Sequence, residues 1–290
     1  MRPNLACVPC FVRQTIDAVR FATSDTAVHQ KVLREVLKAA SEMDFAQSPP
    51  EMGQYIHRLI REHSGNSDPY REIKDRFNRL ALGICLMFAQ RIETARDPLE
   101  ACVKLAIAGN AIDFGPNGDY DGRKLAEAVE RSLASPLRGA GVHELREAVE
   151  KARKVLYLGD NAGEIVFDRL LIERLPRDKV TFAVRGAPVL NDATMADARA
   201  ACLTELVEVI DNGADVPGTV LAECSQVFRD HFDEADLVIA KGQGNYETLS
   251  DVPKDVFFLL MVKCPVIAAR VGFEVGEIVV KRSNAPTASA

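Results

Sequence analysis

The chain has 290 residues, of which 47% are hydrophobic and 27% charged, with a formal net charge of −6 and seven cysteines. No window approaches the roughly 20 apolar residues that a membrane span needs, and the longest apolar run, Val256 to Val262, is strand-sized. Lysines and arginines are scattered rather than gathered into a stripe, which argues against nucleic acid as a partner, and an odd number of mostly distant cysteines argues against a secreted disulfide framework.

The opening residues, MRPNLACVPC, lack the apolar core of a secretory signal, so the expected compartment is cytoplasmic. The length exceeds the usual size of one hydrophobic core, which predicts two domains. From Pro9 to about Lys151 apolar residues recur at three- and four-residue spacing, as in Val32, Leu33, Val36 and Leu37. That spacing predicts a helical domain over residues 1–150. Breakers at Ser48-Pro49-Pro50, Ser64 to Pro69, Asp97-Pro98, Gly115 to Gly118 and Ser135 to Gly141 divide it into about seven helices.

From Lys154 the rhythm changes to short apolar runs separated by helical segments: Val155 to Leu158, Val180 to Val184, Leu206 to Ile210, Leu237 to Ala240, Val256 to Met261 and Val266 to Ala269. Such alternation predicts an α/β domain over residues 151–282 with a mostly parallel sheet. The last runs, including Glu277 to Val280, crowd together, which predicts an antiparallel or edge element there. The tail, residues 283–290, is expected to be disordered.

The stretch KVLYLGDNAGEIVFD joins a strand signal to a helix signal through Gly159, Asp160, Asn161 and Gly163. In an open parallel sheet ligands bind at the carboxyl ends of strands beside helix N-termini. Asp160 and Asn161 therefore stand at a candidate site, and Asp192 in RGAPVLNDAT follows the next strand. Two carboxylates and an amide carbonyl make a hard-oxygen set suited to Mg²⁺ or Mn²⁺. The competing reading is that Asp160 and Asp192 merely cap helices.

Lys241 in LVIAKGQGNYETL ends a third strand beside Gly242, Gly244 and Asn245, a phosphate cradle or else a plain turn. Lys263 is a second cation at a strand end. Cys7-Val8-Pro9-Cys10 has the spacing of a zinc half-site or redox pair, with His57 and His63 as distant candidate partners. A structural zinc site needs four ligands and no second CxxC exists, so a reduced pair at a helix start competes. Asn110 and Asp113 in AGNAIDFG sit at a helix end, where capping is again an alternative.

Taken together, CVPC followed by Arg13-Gln14, AGNAIDFG, GDNAGEIVFD, RGAPVLNDAT, and KGQGNYETL followed by KCPVIA resemble the metal-dependent damage-control phosphatases (DUF89) over nearly the whole chain. That family also contains the human acidic-residue methyltransferase-like protein. The CxxC is similar to that of its mainly prokaryotic branch. The resemblance implies a helical domain packed on a Rossmann-like α/β/α sandwich and a divalent metal (Mg, Mn, Co or Ni) on Asp160, Asn161 and Asp192. It also implies a phosphate contact from Lys241 with Asn245 nearby, and a pocket contribution from Asn110 and Asp113; Glu164 matches its motif.

The expected function is metal-assisted hydrolysis of a small phosphomonoester, a sugar phosphate or damaged phosphometabolite, with either Asp160 or water as nucleophile. Homo-oligomerisation stays open. An S-adenosylmethionine-dependent carboxyl methyltransferase is a rival, although Asp160-Asn161-Ala162 separates Gly159 from Gly163 where that cofactor needs closely spaced glycines. A non-catalytic metal or phosphometabolite sensor is the other, since fold alone does not define activity. A haloacid-dehalogenase-type D-x-D nucleophile motif is broken by Ala162.

Overall fold

The structure is a computed structural model that describes residues 1–109 and 122–283. The segments expected at Gly115 to Gly118 and over residues 284–290 of the tail lie outside the described residues, as do Asn110 and Asp113.

Helices α1 (Cys7–Ala22), α2 (Thr26–Ser41) and α3 (Pro49–Ser64) pack on one another around Phe11, Val19, Val32, Val36 and Ile60. The breakers act as expected. Ser48 and Glu51 form a reciprocal capping box with Pro49 and Pro50 in the first turn of α3, satisfying N–H groups that a helix start leaves unpaired. Asp97 caps α5 (Pro98–Ala108) by accepting from the N–H groups of Leu99 and Glu100. Between them runs α4 (Arg71–Glu93), and α6 (Gly122–Ala134) and α7 (Gly141–Lys151) follow.

One piece of this half is not helical. Leu137–Gly139 forms β1, an edge strand of three residues. It is too short for a period-two pattern to register, and its pairing with β7 (Ile278–Arg282) is long-range.

The remaining strands are β2 (Val155–Leu158), β3 (Val180–Val184), β4 (Glu208–Asp211), β5 (Leu237–Lys241) and β6 (Val256–Met261), with α8 (Glu164–Ile172), α9 (Met195–Ala200), α10 (Gln226–Glu234) and α11 (Gly242–Leu249) between them. The sheet order is β1-β7-β6-β5-β2-β3-β4. Strands β4, β3, β2, β5 and β6 are mutually parallel, and β7 runs antiparallel to β6. The run Val266 to Ala269, expected as a strand, is instead the middle of helix α12 (Pro265–Val271), which Pro265 opens at its first turn. A four-residue apolar run does not distinguish strand from buried helix. Likewise β4 starts at Glu208 rather than Leu206, because Leu203–Glu205 winds into a short 3-10 turn ahead of it.

Alternate side chains of each central strand point to opposite faces, as the pleat requires. Tyr157, Ile239, Phe257 and Leu259 pack with α4 to α8, whereas Leu156, Val238, Phe258 and Leu260 pack with α10 to α12. This is the α/β sandwich of a parallel sheet covered on both faces. The chain leaves β2 for β3 and β4 on one side, then returns to β5 on the other. The topological switch point therefore lies between the carboxyl ends of β2 and β5.

Candidate active site at the sheet switch point

Asp160 leaves β2 and Asp192 lies in the loop after β3, and the two loops are stitched together by backbone. Ala162 N–H donates to Asn191 C=O at 2.9 Å and Ala193 N–H donates to Asp160 C=O at 2.7 Å, making an antiparallel bridge between Asn161 and Asp192. The three expected ligands are thus brought together. Neither aspartate caps a helix: Gly163 is the cap residue of α8, and α9 is capped by Thr194 in a box with Asp197.

Gly163 carries φ of +76°, and a Cβ there would stand 3.0 Å from Phe77 Cβ on α4. The turn therefore requires glycine both for its left-handed backbone and for the close approach of α4. At the same place Asn78 accepts from Gly163 N–H at 2.7 Å through Oδ1 and donates from Nδ2 to Asp197 at 2.9 Å. One side chain of α4 thereby grips the turn that bears Asn161 and the helix that follows Asp192.

Asp160 and Asp192 are buried. Burial pushes the Asp160 carboxyl up to about 8, reinforced by the negative charges of Asp192 and Glu164 and opposed by Arg185 and Lys263. Burial also raises Asp192, with Arg185 opposing. Three carboxylates, Asp160, Asp192 and Glu164, converge here. Asn161 Nδ2 donates to Asp160 Oδ2 and Glu164 Oε2, each at 2.8 Å. Among the described residues its carbonyl oxygen accepts no side-chain or backbone donor. An uncommitted amide oxygen beside two aspartates that burial holds toward the neutral form fits a hard divalent cation in donor type and in charge. No group of three or more His, Cys, Asp or Glu side chains stands in metal-holding geometry among the described residues, so the candidate set is two aspartates plus the amide.

Lys241 differs from expectation. It is fully buried, and its ammonium donates to Ala106 C=O at 2.7 Å and to Glu164 Oε1 and Asp168 Oδ1 at 2.6 Å each. An ammonium has three N–H groups, so none is left for a phosphate. Burial opposes its charge, but Asp168 and Glu164 outweigh that and raise its pKa. Burial also lifts Asp168 to about 7 against the pull of Lys241, and Tyr157 Oη donates to it at 2.8 Å.

Asn245 is likewise turned inward. It donates to Lys241 C=O at 2.8 Å and accepts from Thr219 Oγ1 at 2.8 Å, tying the β5 turn to the neighbouring loop. Glu164 bridges Lys241 and Asn161, so these three hold the site's frame. Lys263, just beyond β6, is exposed and close enough for its charge to lower the Asp160 pKa.

The CxxC does not join this cluster. Cys7 and Cys10 are free thiols at the start of α1, raised in pKa chiefly by burial, and Cys7 Sγ accepts from Asn4 N–H. Neither histidine joins them: the His57 ring lies tilted against Tyr70, and His63 pairs with Glu35 at 3.1 Å.

Two residues that the sequence reading did not single out stand inside the site. Arg185 lies between the aspartates, and Asn78 reaches in from α4. Arg185 had a readable signal, a charge placed directly after the buried strand β3. Asn78 had none, since one amide in a polar helix does not announce a contact 85 residues away.

A carboxylate-rich pair of loops at the switch point of an open parallel sheet places this chain among the α/β proteins that have a ligand crevice at that point. The chain belongs to the damage-control phosphatase ARMT1-like domain family, whose profile matches residues 4–279. It is 33% identical to a protein of Archaeoglobus fulgidus named damage-control phosphatase, over 97% of this chain and 99% of that one. It is 34% identical to damage-control phosphatase PH1575 of Pyrococcus horikoshii, over 98% and 99%. The crystal structure of the DUF89 family protein PH1575 superposes with a TM-score of 0.89 at 32% identity, covering 98% of this chain and 100% of that chain.

Proposed function

We propose that this protein is a metal-dependent phosphatase that hydrolyses small phosphomonoesters, such as sugar phosphates or damaged phosphometabolites. Relatives named damage-control phosphatase support a phosphatase-type function at the family level. The observation that carries the finer reading is the convergence of Asp160, Asp192 and Asn161 on one buried point, where burial and mutual repulsion lift the Asp160 carboxyl to about 8.

A divalent cation held by Asp160, Asn161 and Asp192 would supply Lewis-acid polarisation of a phosphoryl oxygen, typically worth several kcal/mol of transition-state stabilisation. Glu164 keeps Asn161 in place, and Lys241 keeps Glu164 in place. Lys263 is the exposed amine just beyond β6, and its charge reaches Asp160, so it is placed to meet substrate charge at the same site. Asp160 faces the same point and serves either as nucleophile or as the group that orients an attacking water.

The test is phosphate release from a phosphomonoester panel with Mg²⁺, Mn²⁺, Co²⁺ or Ni²⁺. Wild type should turn over many times, and Asp192→Ala should lose at least 100-fold in kcat/KM, about 2.7 kcal/mol. Equal release by both proteins would overturn the assignment of the metal site. Stoichiometric binding of an intact phosphomonoester without turnover would mark a sensor instead.

A further inference from the structure

We infer that Arg185 binds the phosphoryl oxygens of the substrate, an inference that rests on the phosphatase reading above and assigns a contact that reading does not contain.

Arg185 is fixed at its backbone and left under-used at its tip. It follows β3 directly, and its N–H donates to Ala193 C=O at 2.9 Å. The side chain is 2% exposed. Its Nε donates to Asp192 Oδ2 at 2.7 Å, a firm charge-assisted bond. Its Nη2, by contrast, lies 3.5 Å from both Asp160 Oδ1 and Asn245 Oδ1, at the outer limit of hydrogen bonding. Nη1 has no hydrogen-bond partner among the described residues.

A guanidinium has five N–H donors in a planar fork, and here one is engaged at full strength. Among the described residues no Arg185 nitrogen is a buried donor without a partner, so the unused N–H groups still reach solvent, where an arriving anion can take them. The fork opens beside Asp160 and Asn245, at the mouth between β2 and β5. When a divalent cation offsets the carboxylates, Arg185 becomes surplus positive charge at the point where a phosphoryl dianion would arrive. Two N–H groups from one fork match two oxygens of a phosphate, a geometry that a lysine point charge does not reproduce.

The alternative is that Arg185 only neutralises Asp192. The two roles separate in binding experiments on the full chain. Isothermal calorimetry would measure Mn²⁺ affinity first, and then inorganic phosphate affinity at saturating Mn²⁺, for wild type, Arg185→Gln and Arg185→Lys, with circular dichroism as the check on folding. A phosphate-binding role requires Arg185→Gln to keep Mn²⁺ affinity within about threefold while phosphate binding weakens tenfold or more, as loss of a hydrogen bond to a charged group implies. Arg185→Lys, which keeps a cation beside Asp192, should fall in between.

Phosphate affinity unchanged in Arg185→Gln overturns the inference, as does loss of Mn²⁺ affinity alone, which would leave Arg185 as the partner of Asp192. Should Arg185→Gln fail to fold, Arg185→Lys decides: phosphate affinity equal to wild type overturns the inference, and a threefold or greater loss at retained Mn²⁺ affinity sustains it. Wild type that binds no Mn²⁺ would overturn the metal-dependent reading itself, and this inference with it. Wild type that binds Mn²⁺ but no phosphate would overturn the inference while the cation site stands.

Discussion

At the scale of single residues the site is governed by unbalanced negative charge. Asp160 is raised to about 8 and Asp168 to about 7, each chiefly by burial, whereas an unfolded aspartate titrates near 3.9. A carboxyl whose folded pKa is raised binds more protons in the folded chain, so its stability contribution is present at low pH and lost as pH rises through the folded value. His57 acts the other way, since burial lowers it to about 3; its effect is complete once pH exceeds the unfolded histidine value near 6.5. Between pH 6.5 and 8.5 the raised carboxyls remain, Glu247 among them at about 7, opposed by the Met1 amine that burial lowers. In a chelator the melting temperature should therefore fall across that window, by the equivalent of on the order of 1 kcal/mol, and saturating Mn²⁺ should remove the share of the fall that Asp160 contributes. A scanning-calorimetry series that is flat in chelator would contradict the charge crowding described here.

At the scale of elements, α4 acts as the strut of the site although it belongs to the helical half. Phe77 presses on Gly163, and Asn78 ties Gly163 to Asp197. Asp197 in turn is held by Arg71 at 2.6 Å and closes the cap of α9 through Thr194. Asn78→Ala should cost about 1–3 kcal/mol in urea unfolding, because it leaves a buried N–H unsatisfied. It should also weaken Mn²⁺ binding by roughly 10–100-fold, the usual effect of removing a partner of a metal ligand's support. The control is Ile84→Val, one turn and more along α4 in the apolar core; if it weakens Mn²⁺ equally, the strut adds nothing specific.

Here the limits of the sequence become physical. Strand ends such as Leu158 to Asp160 were legible, because a buried strand is a continuous apolar run and its polar successor stands out. Lys241 was legible as a strand-end cation, but its direction was not: whether it meets solvent or Glu164 and Asp168 depends on residues 77 and 73 positions away. Pro265 hid in the same way, since Val266 to Ala269 suits strand and helix alike until packing on β6 decides.

At the scale of the whole molecule, the helical half and the sheet are joined by one core. Ile84, Leu105, Ile107 and Leu145 from α4, α5 and α7 share a cluster with Tyr157, Ile239, Phe257 and Leu259 of the sheet. Polar ties cross the same junction. Lys241 donates to Ala106 C=O of α5, and Asp215 accepts from Gln54, Arg58 and Arg61 of α3, which hold its carboxyl down at about 2 against the opposing effect of burial. A parallel sheet is stable when covered on both faces, and the N-terminal helices supply much of one cover. The full chain should therefore unfold in a single calorimetric transition, with calorimetric and van't Hoff enthalpies equal. A fragment of residues 151–283 should keep its α10 to α12 face but expose the other, and so should bind 8-anilinonaphthalene-1-sulfonate and lose near-UV dichroism in the manner of a loosened core. A fragment that instead melts sharply and binds Mn²⁺ as the full chain does would show that the sheet and its site stand without the helices, and would remove α4 and α5 from the account of how Asp160, Asn161 and Asp192 are held.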